Sequence, residues 1–217
     1  QDGITVASYR SIVGFPYEEP GGRTPVLSSM VEYVDFNPTW TPTPWVVENE
    51  LLRKAKKNPA YFADNHFTRR NGKWVQTPGP HNTLGQAVVS FPNDNLVKLH
   101  GTNEPRRFDY RDRALSHGCV RVENIQDLAM RVLTWSGVEL DIAPEKIMSD
   151  IVEKRISPPR HVPVHIIYDR VHVQEGRAVA IAPDPYKLDR RLARKENLDF
   201  IYRLVTRARK SRRLAQN

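Results

Sequence analysis

Two hydrophobic periodicities alternate along the 217 residues and predict a chain of mixed α and β structure. β-branched and aromatic residues concentrate in residues 5–14 and 25–36, which predicts two strands joined as a hairpin by a turn at residues 18–22. Residues 86–91 and 96–100 predict two further strands, separated by four turn-forming residues. The sequence therefore predicts a β-sheet core that resumes at Gly85 after a long interruption.

The interruption, residues 37–82, has a different pattern and predicts an inserted subdomain. Three prolines in residues 38–44 exclude a continuous strand or helix there, whereas residues 45–57 repeat apolar positions at nearly helical spacing. A second short helix is predicted at residues 59–65, and Asn71-Gly72 is typical of a tight hairpin turn. We expect this segment, called the cap below, to lie over one end of the sheet.

Helical spacing returns after Asn124, which we interpret as the N-cap of a helix that reaches Trp135. Residues 138–142 predict a short strand and residues 143–155 a weak helix. Residues 162–181 then predict strands that end in a closing hairpin. Three histidines in this region lack carboxylate or cysteine partners at metal-ligand spacing, so no metal site is predicted there: His161, His165 and His172.

The charge is concentrated at the end of the chain. Residues 187–217 contain eleven basic and three acidic residues, which accounts for the entire net charge of +8. Apolar residues recur there at helical spacing and predict a basic amphipathic helix. Such a helix meets anionic lipid, an acidic wall polymer or a partner protein, or docks on its own domain, and the pattern does not decide among these.

Composition places the chain among soluble globular proteins, with 39% hydrophobic and 27% charged residues. Nowhere does an apolar stretch approach the roughly 18 residues that a membrane span needs. A secretory signal is not visible at Gln1.

Cys119 is the only cysteine and therefore cannot form an intrachain disulfide. It lies between Gly118 and Val120, outside any apolar run, which makes it a candidate nucleophile although a lone cysteine is commonly an inert buried residue. A thiol with a pKa of about 8.5 needs an imidazole to take its proton. His117 and His100 are both available, and we favour His100, at the end of a predicted strand.

Gly118 has a separate predicted role in this loop. Because it has no Cβ, the backbone N–H groups of His117, Gly118 and Cys119 can turn toward one point. An oxyanion hole requires this arrangement.

These residues resemble a known catalytic signature. Leu99-His100-Gly101-Thr102 and the stretch from Arg113 to Val122 are similar to the motifs of the bacterial cell-wall L,D-transpeptidases, whose catalytic domain is of the YkuD type. Four other stretches agree, in order, with the capped branch of that family: residues 22–26, 37–40, 78–85 and 91–93. The likeness runs from about residue 13 to residue 188.

The resemblance implies an α+β fold with a β-sandwich-like catalytic domain formed by residues 1–36 and 83–186. Residues 37–82 are then the inserted cap subdomain, and residues 187–217 are the basic C-terminal helix.

The resemblance also implies acyl transfer on peptidoglycan. His100 would deprotonate Cys119, with the Gly101 carbonyl orienting the imidazole, and the thiolate would attack a tetrapeptide stem. An amine of a second stem, or of a protein, would resolve the thioester and form a 3-3 cross-link or a protein attachment. The implied location is the periplasm or cell wall, carbapenems would acylate the same thiol, and no cofactor, metal or nucleic acid is expected.

Three residues are candidate substrate contacts: Ser116, Arg121 and Trp40. The planar cation of Arg121 suits either a substrate carboxylate or the carbonyls of its own loop. Packing within the cap is the alternative interpretation of Trp40.

Two other functions remain open from the sequence. Water in place of the amine would make the enzyme an L,D-carboxypeptidase or endopeptidase. Alternatively, the chain is a non-catalytic module that binds cell wall or nucleic acid through its basic tail, although such a module has no use for the cysteine motif.

Overall fold

The computed structural model describes residues 5–17, 22–139, 146–147, 152–174, 177–181 and 183–195. The chain divides into two compact units, Gln1–Ile167 and Tyr168–Asn217. The strands are β1 (Ser11–Gly14), β2 (Leu27–Met30), β3 (Tyr33–Phe36), β4 (Phe67–Arg70), β5 (Lys73–Gln76), β6 (Ala87–Ser90), β7 (Leu99–His100), β8 (Ala114–Ser116), β9 (Val120–Val122), β10 (Lys154–Ile156), β11 (Pro163–Ile166), β12 (Val171–Gln174) and β13 (Arg177–Ile181). The helices are α1 (Pro44–Val46), α2 (Leu52–Lys57), α3 (Tyr61–Asp64), α4 (Ile125–Trp135) and α5 (Leu188–Lys195).

A seven-stranded mixed sheet organises the first unit, in the order β10-β3-β6-β7-β9-β1-β8. Two of its pairings are parallel, β7 with β9 and β1 with β8, and the others are antiparallel. A smaller sheet pairs β2 with β11. These mixed sheets and few helices confirm the predicted α+β class.

The predicted hairpin between residues 5–14 and 25–36 is wrong. In the structure β1 lies between β8 and β9, whereas β2 pairs with β11. The reason lies at Gly14, where a Cβ would come within 2.1 Å of the Gly22 carbonyl oxygen. The Gly14 amide donates to Thr24 Oγ1 at 2.8 Å, so the returning chain crosses the end of β1 instead of running beside it.

The core lies between α4 and one face of the large sheet, and its buried residues are Val31, Val34, Phe36, Ala87, Val89, Val122, Ile125, Ala129, Val132, Leu133 and Ile147. The predicted helix after Asn124 is confirmed, and its apolar face is the buried one. The predicted N-cap interaction of Asn124 is wrong. The backbone of this residue is left-handed with φ 54°, and its side chain makes no capping hydrogen bond to the helix. Instead, the Asp127 amide bonds to the Asn124 carbonyl.

The cap contains the predicted helices and hairpin. A π-helical turn, Val47–Leu51, connects α1 and α2 into one helix, and α3 follows. The β4–β5 hairpin turns at Asn71 and Gly72, both of which have positive φ, as a type I′ turn requires. Since β3 and β6 pair with each other, the chain leaves the sheet and returns to it at neighbouring strands.

Later residues differ from the prediction in part. Lys146 and Ile147 are helical, but β10 occupies the end of the stretch predicted as helix and pairs with β3. Residues 140–145 and 148–151 lie outside the described residues. The boundaries expected for the catalytic domain, the cap and the tail stay a prediction.

The second unit contains the β12–β13 hairpin and α5. Its Tyr168 hydroxyl donates to Asp184, and the Tyr168 and Tyr186 rings stack with centroids 5.5 Å apart. The predicted hairpin strands are confirmed, as is a helix after Lys187, whereas residues 196–217 of the tail lie outside the described residues. Among the helices that are described, none has both the length and the apolar character that a bilayer crossing demands.

Candidate active site

The parallel pair β7 and β9 brings the two predicted catalytic segments together. Leu99 pairs with Val120 and His100 pairs with Arg121, and the Val120 amide donates to the Lys98 carbonyl at 3.0 Å. Leu99 and Val120 pack toward the α4 core. Because side chains alternate along a strand, the chain places His100, Arg121 and the preceding Cys119 on the opposite face.

The spacing of a sheet puts the His100 and Cys119 Cα atoms about 8 Å apart, from roughly 5 Å between strands and about 7 Å along two residues. The charges of Lys98 and Arg121 act on both residues. His100 and Cys119 therefore share one electrostatic environment, although they are 19 positions apart in the sequence.

His100 is buried, with 4% of its surface exposed. Its Nδ1 donates to the Gly101 carbonyl at 2.7 Å, which leaves Nε2 as the basic nitrogen of the neutral ring. Burial, followed by the charge of Arg121, lowers the pKa of His100 to about 4, against backbone hydrogen bonds at Gly101 and Leu84 that favour the charged ring. At neutral pH the imidazole is uncharged and able to accept a proton.

Gly85 and Gly101 approach each other closely, and this contact fixes the end of β7. A Cβ on Gly85 would lie 2.5 Å from the Thr102 amide nitrogen, and Gly85 has φ +70°. The preceding turn is held by Asn82, which is fully buried and donates to the carbonyls of Pro38 and Thr77 at 2.9 Å each. The stretch at residues 78–85 thus presents the Leu84 backbone to His100.

Cys119 is half-buried and keeps contact with solvent. Its Sγ lies 3.8 Å from the Leu96 carbonyl oxygen, so the thiol points to this backbone group. Burial raises the pKa of the Cys119 thiol, while a Lys98 backbone hydrogen bond and the charges of Lys98 and Arg121 oppose that rise. The resting thiol is therefore protonated.

Leu96 itself is unusual. It has φ 55°, a left-handed conformation that few non-glycine residues adopt, and 74% of its surface is exposed. Backbone strain of this kind concentrates at functional sites. The strained turn places the Leu96 carbonyl beside the thiol.

The loop before the nucleophile is held by Ser116. This side chain is 2% exposed, donates to the Cys119 carbonyl at 2.5 Å and accepts from the Gly118 amide at 3.2 Å. Thr24 donates to the Gly118 carbonyl at 2.8 Å. The Ser116 hydroxyl is thus occupied within the loop and screened from solvent, and its predicted substrate contact stays a prediction.

The same bond involves one of the three predicted oxyanion donors, which stay a prediction. Gly118 has φ 112°, which only glycine adopts readily, and its N–H is directed to Ser116. The amides of His117 and Cys119 remain as candidate donors.

His117 contacts side chains outside its own loop. Its Nε2 lies 2.6 Å from Glu50 Oε1 of the cap, and its ring meets Phe15 and Trp45 edge to face at 5.4 and 5.5 Å between centroids. Sequence reasoning missed Glu50, for which no motif or spacing gives a signal. Trp40, in contrast, packs inside the cap against Phe67, at 5.9 Å, and its predicted substrate contact stays a prediction.

Arg121 is the least satisfied charged group described at the site. Its side chain is 13% exposed, and its Nε and Nη1 are buried without a hydrogen-bond partner among the described residues. The nearest carboxylate oxygen, on Glu104, is 3.8 Å from Nη1. A buried guanidinium with two nitrogens that lack hydrogen bonds is costly, so this position favours binding of an anion.

Comparison with known proteins bears on the family of the chain. The model of the YkuD family, the L,D-transpeptidase catalytic domain, matches residues 1–166. A Haemophilus influenzae protein named "Putative L,D-transpeptidase" is 27% identical over 214 residues, which cover 88% of this chain and 42% of that protein. The chain thus spans less than half the length of this curated relative. The family model matches about three-quarters of the present chain, which therefore belongs to the YkuD family of L,D-transpeptidase catalytic domains.

Proposed function

We propose that this chain is a peptidoglycan L,D-transpeptidase that uses Cys119 as nucleophile and His100 as base. The observation that carries the proposal is a half-buried Cys119 on the same sheet face as a buried, neutral imidazole. Membership of the family supports the reaction class. The donor is a tetrapeptide stem and the acceptor an amine of a second stem or of a protein.

In the proposed first half-reaction the Cys119 thiol gives its proton to Nε2 of His100 while sulfur attacks the carbonyl carbon of the L-centre. The amides of Cys119 and His117 stabilise the negative charge on the former carbonyl oxygen. Collapse forms a thioester and expels the terminal D-amino acid, whose amine takes the proton from His100. Gly101 keeps Nδ1 protonated and so keeps Nε2 available.

In the second half-reaction the acceptor amine attacks the thioester and loses a proton to His100. The new amide leaves, and the proton passes to the Cys119 sulfur. Protons and acyl groups balance, with no change of oxidation state.

Arg121 fits the donor. The terminal D-residue carries a carboxylate, and the unpaired Nε and Nη1 of Arg121 supply two hydrogen-bond donors two residues from the nucleophile. We assign this carboxylate, or an equivalent acidic group of the stem, to Arg121. A periplasmic or cell-wall location, with the basic tail against an anionic polymer, membrane surface or partner protein, belongs to the same proposal.

The test is intact-mass analysis after meropenem treatment, since the same thiol would open the lactam ring. We expect one adduct on the wild-type chain and none on Cys119→Ala. A defined tetrapeptide muropeptide then separates the acceptors by product mass, because cross-linked dimers show transfer to an amine and tripeptides show transfer to water. A folded wild-type chain that gains no adduct, and binds cell wall equally well as Cys119→Ala, would refute the proposal.

A further inference from the structure

The contact between the cap and the nucleophile loop is not needed by the reaction steps above. Glu50, in the π-helical turn Val47–Leu51, places Oε1 2.6 Å from Nε2 of His117. Trp45, one turn earlier, and Phe15, at the end of β1, pack against the same imidazole. The ring is thus held by a carboxylate and two aromatic side chains from two separate parts of the fold.

The Glu50 carboxylate is suited to a strong bond. A hydrogen bond from His117 lowers its pKa, against the effect of burial, and the charges of His117, Lys54 and Arg121 act in the same direction. Both side chains of the pair are one-third exposed, which removes much of the screening by water. Hydrogen bonds to an ionised acceptor are about twice as strong as neutral ones.

Only a short stretch of backbone connects the His117 ring to the reacting groups. Ser116 and Gly118 flank His117, and the Ser116 hydroxyl ties the Gly118 amide to the Cys119 carbonyl. These bonds make the loop from residue 116 to residue 119 a single compact turn. A displacement of the imidazole therefore displaces the amides that face the oxyanion.

The π turn gives this contact further weight. A π turn inserts one residue relative to an α-helix and occurs frequently at functional sites. The inserted residue turns the side chains that follow toward a different face of the helix. Here the turn contains Glu50 and its exposed neighbour Glu48, of which only Glu50 contacts His117.

We propose that Glu50 is a positioning residue, which acts through His117 to hold the backbone amides of the nucleophile loop in the geometry for acyl transfer. The cap then completes the active site and does more than cover it. This inference rests on the proposed function, but its structural part can be tested without the reaction.

The experiment compares Glu50→Ala, Glu50→Gln and the matched control Glu48→Ala, with Tm as the check of folding. Three measurements are made on each variant: the rate of Cys119 acylation by meropenem, the rate of Cys119 alkylation by iodoacetamide, and hydrogen exchange in the peptide that covers residues 114–122. Iodoacetamide needs a thiolate but no oxyanion donors, so it separates ionisation of the thiol from positioning of the amides.

We expect Glu50→Ala to slow acylation about tenfold or more, because a misplacement of about 1 Å costs up to about a hundredfold in rate. Its alkylation rate should change less than about twofold, since no oxyanion forms in that reaction. Hydrogen exchange in residues 114–122 should be faster. Glu50→Gln, which keeps an acceptor oxygen, should lie between Glu50→Ala and wild type, and Glu48→Ala should match wild type.

The proposal would be overturned if Glu50→Ala and Glu48→Ala had the same acylation rate and the same hydrogen exchange. It would also be overturned if Glu50→Ala slowed acylation and alkylation by the same factor. If Glu50→Ala fails to fold, Glu50→Gln decides by the same comparison. If the wild-type chain is not acylated at all, the proposed function fails, and hydrogen exchange alone decides whether Glu50 positions the loop.

Discussion

Lowering the pH from 7 to 4 is expected to destabilise the folded chain through His100. The unfolded imidazole has a pKa of about 6.5, whereas the buried ring has a pKa of about 4. Between these values the unfolded chain binds a proton that the folded chain does not, so the free energy of unfolding falls as the pH falls. Each pKa unit is worth about 1.4 kcal/mol, which gives a loss of about 3 kcal/mol by pH 4.

The assay is urea unfolding, followed by tryptophan fluorescence, at several pH values for wild type and His100→Asn. Asparagine keeps an N–H that can donate to the Gly101 carbonyl but has no proton to gain. The difference in unfolding free energy between the two proteins should therefore change by about 3 kcal/mol between pH 7 and pH 4 and stay constant above pH 7. Parallel curves across this range would show that His100 is not buried as a neutral base, and the catalytic assignment would lose its main support.

Three substitutions test other parts of the site. Ser116→Ala leaves the buried Gly118 amide without its acceptor, so urea unfolding should show a loss of about 1–3 kcal/mol and meropenem acylation should slow; unchanged values in both would contradict the bracing role. Leu96→Gly relieves the left-handed strain at this residue. The free energy of unfolding should rise by about 0.5–1 kcal/mol, after subtraction of the entropic cost of glycine. A lower free energy of unfolding would mean that the exposed leucine side chain contributes packing. Arg121→Met should leave stability unchanged or higher, because a buried cation with two unsatisfied hydrogen-bond donors is removed, yet raise KM for a stem-peptide donor about tenfold or more; an unchanged KM would exclude Arg121 from carboxylate binding.

The neighbouring positions of the His100 and Cys119 segments can be predicted because the signals are local. A strand pattern that ends at His100 and a glycine before Cys119 are visible in a few residues each, and β7 and β9 lie side by side in the structure. The partner of β1 was not predictable in this way. The alternation of apolar and polar residues predicts which face of a strand is buried. It does not predict the pairing of β1 with β8, because these strands are separated by about 100 residues and no local pattern specifies that pairing.

Two side chains show what a sequence pattern leaves out. Ser116 is polar, yet its hydroxyl satisfies one donor and one acceptor of its own loop and can therefore be buried. Glu50 lies in a π turn, whereas a periodicity of 3.6 residues predicts only a regular α-helix, so the pattern gives no signal for its contact with His117.

The two cations beside the thiol indicate how the proposed reaction uses its charges. Lys98 and Arg121 both oppose a charge on His100 and both favour one on Cys119, so the thiolate gains stability while the imidazolium is penalised. Burial nevertheless raises the pKa of the thiol, and the resting pair is neutral. In the proposed reaction the fixed positive charges act most strongly when negative charge develops on the substrate carbonyl oxygen, because at that stage no solvent reorganisation is needed. We therefore propose that proton transfer to His100 is coupled to attack on the carbonyl, so that the acyl-transfer transition state is stabilised without a reactive thiolate in the free protein.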